Sequence, residues 1–284
     1  LDAYTPVGPV NLFLHSLFSQ VDVSLNGVQV TPAMNTYPYR AMIETLLSYG
    51  GDAKESQLTS ELFYKDDAGR MDSVDFAEAA RNKGLHKRAE FTAESHEVDL
   101  MGRIHADIFF QDRYMLNEVC SKIKLIRSKD AFCLMSATAF TAKIVSAVLY
   151  VRKVKLSPSV FLAHAKALEH GNAKYPIRRV ICKTFTVPTG YLDVSHEKLF
   201  SGQLPTRLVV GLVGNGAFNN CQIRFPHDER VWSHCSSNDS FSQSPTGVDH
   251  DFITTTCDRV STEYNGGNVR GDQVLNEHSK LRAF

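Results

Sequence analysis

Residues 21–30 constrain the fold more than any other stretch. Val21, Val23 and Leu25 alternate with Asp22 and Ser24, then comes Asn26-Gly27, then Val28-Gln29-Val30. Alternation of period two sends one face to a core and the other to water, as a half-buried strand requires. Asn-Gly is the pair that accepts two positive φ angles, so the chain turns back in a two-residue type I′ hairpin. A chain that begins this way builds antiparallel β structure. The rest of the sequence offers many short β-patterned runs without a regular alternation of strand and helix, which argues for a sandwich or barrel over a parallel α/β sheet.

Further strands are expected at 104–110, 122–127, 143–156, 178–187 and 208–213, with a turn at Ser128-Lys129-Asp130 and another at Asn215-Gly216. Few helices interrupt them. A run from Arg40 to Ser48 ends at Gly50-Gly51, a normal stop signal. Residues 51–94 are polar and weakly periodic and read as a long excursion between strands, helical in part around Asp75 to Asn82. The best-marked helix opens with Ser157 as N-cap and Pro158 at the first helical position. Val160, Phe161, Ala163, His164, Ala167 and Leu168 then share one face, and Gly171 closes it.

Beyond about Asn220 the character changes. Ser, Asn, Asp, Thr and His dominate and apolar residues become isolated, with six Lys/Arg against nine Asp/Glu in 221–284. Such a tail struggles to offset the entropy of its own ordering. No run approaches the ~18 apolar residues of a membrane-spanning helix, so no membrane span is expected. The chain begins at Leu1 without a Met and without a signal-peptide pattern; the expectation is that Leu1 is not a native translation start.

The formal net charge is zero, so no overall field draws the chain to nucleic acid. A local basic region, Arg152, Lys153, Lys155, Lys174, Arg178, Arg179 and Lys183, could face nucleic acid, but aromatic residues are sparse in it, and a solvated face of strands and helix is the better account. Cys120, Cys133 and Cys182 read as small buried hydrophobes, and a reducing compartment suits six cysteines without a CxxC pair.

Cofactor and catalytic signatures are thin. Gly211 to Asn219 follows a strand but has Asn219 where a dinucleotide turn needs its third glycine, and no helix follows. Cys221, His227, His234, Cys235, His250 and Cys257 lack the close pairs of a zinc site. His105 and His164 read as satisfied core or surface histidines. Asp99, Asp107 and Asp112 are scattered among strand-like residues, without a paired acid and base. Arg270-Gly271-Asp272 matches an integrin-type tripeptide that chance supplies readily. The expectation is a non-enzymatic protein with no catalytic, cofactor-binding or metal residues.

Several long blocks carry a resemblance: GPVNLFLHSLFSQVDVSLNG at 8–27 with NTYPYR at 35–40, FQDRYMLN at 110–117, IRSKDAFC at 126–133, VRKVKLSPSV at 151–160 and HEKLFSG at 196–202. Over residues 8–219 they resemble the major capsid protein of Polinton/Maverick elements (adintoviruses). The resemblance implies an all-β double jelly roll of two β-sandwich domains with a few short helices. It implies a homotrimer that forms a pseudo-hexagonal capsomer, contacts with neighbouring capsomers, and a penton-type minor capsid protein as possible partner.

On that frame residues 1–156 are the first jelly roll without its leading strands. Residues 157–174 are a helical connection, 175–220 the start of a second jelly roll, and 221–284 a low-structure tail, out of frame or from an unrelated exon. The expected setting is the virion, or an intracellular compartment if the copy is decayed. An incomplete second jelly roll leaves open sheet edges, so the chain is expected to assemble poorly into shells. The alternatives are a host-adopted β-sandwich binding module that makes no shell, and a carbohydrate-active or nucleotide-dependent enzyme on a β scaffold.

Overall fold

The computed structural model describes residues 7–188 apart from 72, 77–80 and 137, then residues 195, 199, 205–214, 250–264 and 282–283. In chain order the elements are β1 (Val7–Pro9), α1 (Phe13–Ser16), β2 (Phe18–Leu25), β3 (Val28–Gln29), α2 (Tyr37–Ser48) and α3 (Gly51–Glu55). A 3-10 turn follows at Gln57–Glu61, then α4 (Lys83–Thr92), β4 (Val98–Asp99) and a second such turn at Asp107–Phe110. After these come β5 (Ser121–Arg127), α5 (Asp130–Cys133), β6 (Leu134–Ser136), β7 (Ile144–Ser146) and α6 (Pro158–His170). The last elements are β8 (Ala173–Val187), β9 (Leu208–Gly214), β10 (His250–Tyr264) and β11 (Arg282–Ala283).

The strands form small sheets, with orders β1-β6, β3-β2-β5, β4-β11-β7 and β8-β10-β9. Every pairing is antiparallel. With helices such as α2, α4 and α6 beside them, the architecture is mixed: small antiparallel sheets and a few helices.

The opening hairpin forms as its residues dictate. Asn26 and Gly27 take φ of 47° and 82°, and Leu25 pairs with Val28. Val21, Val23 and Leu25 turn inward, while Asp22 and Ser24 stay at the surface side. β5 lies along the other edge of β2, with Val23 opposite Ile123.

β8 switches its buried face midway. Tyr175 and Ile177 are buried on one side with Val23, Leu25 and Ile108, whereas Cys182, on the opposite parity, packs with Tyr39 and Ile43 of α2. One edge of β8 pairs with β10. The other is satisfied by side chains: Arg113 donates to the Lys174 carbonyl, Asp107 accepts from the Val180 N–H, and Thr36 donates to the Cys182 carbonyl. A buried sheet edge needs such partners for its backbone groups.

Several expectations differ from the structure. Of the helix expected around Asp75–Asn82, residues 77–80 lie outside the described residues; α4 begins at Lys83, where the Asn82 side chain accepts hydrogen bonds from the Gly84 and Leu85 N–H groups. Residues 104–110 form no strand; Asp107–Phe110 is a 3-10 turn whose aspartate is drawn into a buried ion pair. The long strand expected over 143–156 shrinks to Ile144–Ser146, since among the described residues no strand pairs with the remainder.

Residues 221–284 were expected to lack long strands, yet β10 spans His250–Tyr264 between β8 and β9. That segment is dense in Thr, Val, Ile, Phe and Tyr, the residues that suit a pleated ladder. Of the cysteines, Cys133 and Cys182 are buried as expected and Cys120 is exposed.

Candidate functional site

The chain entering α1 is bent by a leucine. Leu12 sits in the left-handed region with φ 57°, as does Leu62 with φ 58°, and the Leu12 N–H donates to the Leu62 carbonyl over 3.2 Å. That bond lays α1 against the Gln57–Glu61 turn, so His15 of α1 meets Glu61. The Nε2 of His15 lies 3.2 Å from Glu61 Oε2, and its Nδ1 lies 2.9 Å from the hydroxyl of Tyr37 on α2.

Tyr37 links onward, its oxygen accepting the His105 N–H at 3.3 Å. The His105 ring stands edge-on to His15 and reaches Glu44 Oε2 through Nδ1 at 2.5 Å. Arg40 closes the chain: its Nε donates to Glu44 Oε1 at 2.9 Å and its terminal nitrogen to Asp107 Oδ1 at 2.5 Å. His15, Tyr37, Arg40, Glu61, His105 and Asp107 are all buried.

Burial sets the electrostatics. It lowers the pKa of His15, against the opposing pull of the Glu61 hydrogen bond. It raises that of Tyr37, so the phenol keeps its proton and has one to donate. Burial also pushes Glu44 upward, but the His105 hydrogen bond and the Arg40 charge outweigh it, and the Glu44 carboxyl lies below its ordinary value. Arg40 is held charged: Glu44 and Asp107 together overcome its desolvation. The Asp107 Oδ2 atom is buried without a hydrogen-bond partner, and burial raises the pKa of that carboxyl.

A cavity of about 20 Å³ borders the network, lined in part by Thr31, Met34, Tyr37, Arg40 and His105. That volume is on the scale of a single water. Among the described residues no three His, Cys, Asp or Glu side chains are grouped to hold a metal ion. As drawn, the cluster ties together α1, α2, both 3-10 turns and β8. Its chemical capability is proton uptake and the holding of charge, within a shell too tight for a substrate.

A second buried cation lies outside this cluster. Arg88 of α4 donates to the carbonyls of Pro9 and Tyr64 and to Asp66 Oδ1. It thereby fastens α4 to β1 and to the loop after Leu62.

The residues singled out in the sequence fall elsewhere. Asp107 joins the cluster, while Asp99 and Asp112 are exposed. His105 is buried and bonded, and His164 is exposed on α6. In the basic region Arg152, Lys153, Lys155, Lys174 and Arg178 are exposed, and Arg179 and Lys183 half-buried. Cys221, His227, His234, Cys235, the 215–219 turn and Arg270-Gly271-Asp272 lie outside the described residues, as do the side chains of His250 and Cys257. His15, Tyr37, Arg40, Glu44, Glu61 and Arg88 were not anticipated. The Arg40/Glu44 spacing of four on a helix was the single legible signal.

The surface carries one conspicuous feature. Every residue from Leu149 to Asn172 is exposed, including the whole of α6. Val160, Phe161, Leu162 and Leu168 are 41, 48, 70 and 41% exposed. The apolar face expected of this helix exists, and among the described residues it joins no buried core cluster.

Comparison with known proteins gives little to lean on. The chain is similar to the uncharacterized protein F54H12.2 of Caenorhabditis elegans, 24% identical over 217 residues, covering 74% of this chain. It spans about half (49%) of that relative's length. No family model matches the chain. No solved structure matches it. Among the described residues no helix is long and apolar enough to cross a membrane.

Proposed function

We propose that this chain is a structural shell subunit, a partial copy of a double jelly-roll major capsid protein of the Polinton/Maverick type, and that it works by associating with copies of itself as a trimer. The observation that carries the reading is the arm from Leu149 to Asn172. A helix with apolar residues around most of its circumference normally belongs in a core. Here it stands in water on a single chain, and an exposed patch of this kind marks a contact surface. One of the blocks that resemble the capsid family, 151–160, runs through this arm, where packing among the described residues does not account for its residue types.

Two further observations support the reading. Zero net charge leaves copies free of mutual repulsion. The small antiparallel sheets β3-β2-β5 and β8-β10-β9 are what partial β-sandwiches would leave. On this reading trimers form and closed shells do not, because the resemblance ends near Asn219.

Negative-stain electron microscopy of the purified full chain tests it. Three-fold particles of capsomer size are expected. A homogeneous monomer would count against the capsid reading and favour a host-adopted binding module.

A further inference from the structure

The hydrogen bonds around His15 are best met by its neutral form. The Tyr37 oxygen already accepts the His105 N–H. Its own proton then has His15 Nδ1, 2.9 Å away, as acceptor. His15 Nδ1 is therefore bare and Nε2 carries the hydrogen, donated to Glu61. Neutral His15 satisfies Tyr37, Glu61 and both of its own ring nitrogens.

A second proton has one place to go, Nδ1. There Nδ1 turns from acceptor into donor, and the Tyr37 hydrogen loses the acceptor it had. The groups around His15 are Glu61 from the Gln57–Glu61 turn, Tyr37 and Glu44 from α2, and His105 from the loop ahead of Asp107. Arg40 and Asp107 lie one contact further out. Glu61 favours the added charge. Burial and the His105 ring, 4.7 Å away between centroids, oppose it.

We propose that His15 is an acid-sensitive latch: a proton taken from solvent onto its Nδ1 at mildly acidic pH takes from the Tyr37 hydroxyl its hydrogen-bond acceptor and loosens α1 and the Gln57–Glu61 turn from α2. The latch goes beyond the shell-subunit reading and holds whether the chain is monomer or trimer. Opening exposes the Leu12–Leu62 bond and the apolar groups beneath α1, including Phe13 and Leu17, both buried in the closed form.

Hydrogen exchange followed by mass spectrometry on the full chain tests this at about pH 7.5 and about pH 5.5, after correction for intrinsic rates. An opened histidine titrates near 6.5, so peptides covering residues 12–18 and 57–63 are expected to exchange up to about tenfold faster at the lower pH. The effect should reverse on return to neutrality. His15→Gln, which can donate to Glu61 and accept from Tyr37 without taking a proton, is expected to exchange equally at both values. Wild-type peptides unchanged between the two, or a His15→Gln chain accelerating as wild type does, would overturn the latch.

Imidazole ¹⁵N NMR of the wild type gives a check that does not depend on the variant folding. One proton, on Nε2, is expected at neutral pH. Protonated Nδ1 there would overturn the proposal.

Discussion

The rings of His15 and His105 meet edge to face, 4.7 Å apart and at 85°, and each imidazole is tied to its own glutamate. Neither lies near the other in sequence. The contact joins the first helix of the chain to a loop some ninety residues on, and the Tyr37 hydroxyl bridges both. The packing of α1 on α2 therefore depends on polar atoms as much as on Phe13 and Leu17.

Arg40 holds two carboxylates in a dry site. Arg40→Met leaves Glu44 and Asp107 without their cation, and breaking a buried pair from one side costs about 3–5 kcal/mol. Asp107→Asn keeps Oδ1 as acceptor for Arg40 and Val180 and removes a charge whose Oδ2 has no partner. That change is expected to cost about 1–3 kcal/mol, less than Arg40→Met, because Arg40 keeps Glu44 as its partner. Urea unfolding of the pair separates the two. Equal losses would contradict the assignment of Arg40 as the charge that must be present.

Arg88 reaches three acceptors at once. Lysine cannot span them with one ammonium. Arg88→Lys is expected to lower stability by about 2–3 kcal/mol through the acceptors left bare. A chemical denaturation midpoint indistinguishable from wild type would show that water replaces the guanidinium freely.

Stability should fall with acid in two windows. The folded-state pKa of His15 lies below its ordinary 6.5, so the unfolded chain takes the proton first. Stability is full above 6.5 and declines as pH drops below it. Glu44 is also depressed, below 4.5, so its share is present above that value and is lost as pH falls through its folded pKa. Unfolding free energies measured at a series of pH values should show the first decline in wild type and lose it in His15→Gln, with the second intact in both.

Phe161 and Leu168 are half-exposed on α6 and belong to no buried core cluster among the described residues. Phe161→Glu with Leu168→Glu is expected to change the thermal midpoint little, since exposed substitutions shift stability by about 0.5 kcal/mol or less. The same pair should prevent self-association, which sedimentation velocity reads directly. Unaltered association would place the interface elsewhere.

The legible parts of the sequence were those governed by neighbours in the chain. Asn26-Gly27 set the hairpin, Ser157-Pro158 the start of α6, and the alternation at 122–127 became β5. The helix at Lys83 starts about two turns beyond Asp75, because Asn82 caps it there. β10 was missed because its Thr and Ser were counted as polar tail rather than as β-formers.

The buried network could not be read at all. His15, Glu61 and His105 lie far apart in sequence, and their meeting depends on two leucines in left-handed backbone, a conformation no propensity announces. The sequence also announced the apolar face of α6 without saying that the described residues leave it exposed.

The central claim is that this chain associates with itself to form a trimer. Light scattering coupled to size-exclusion chromatography on the full chain measures it most directly. The account predicts one species with three times the 31.7 kDa mass of a single chain, converted to monomer by Phe161→Glu with Leu168→Glu. A wild-type monomer at concentrations of tens of micromolar would contradict it.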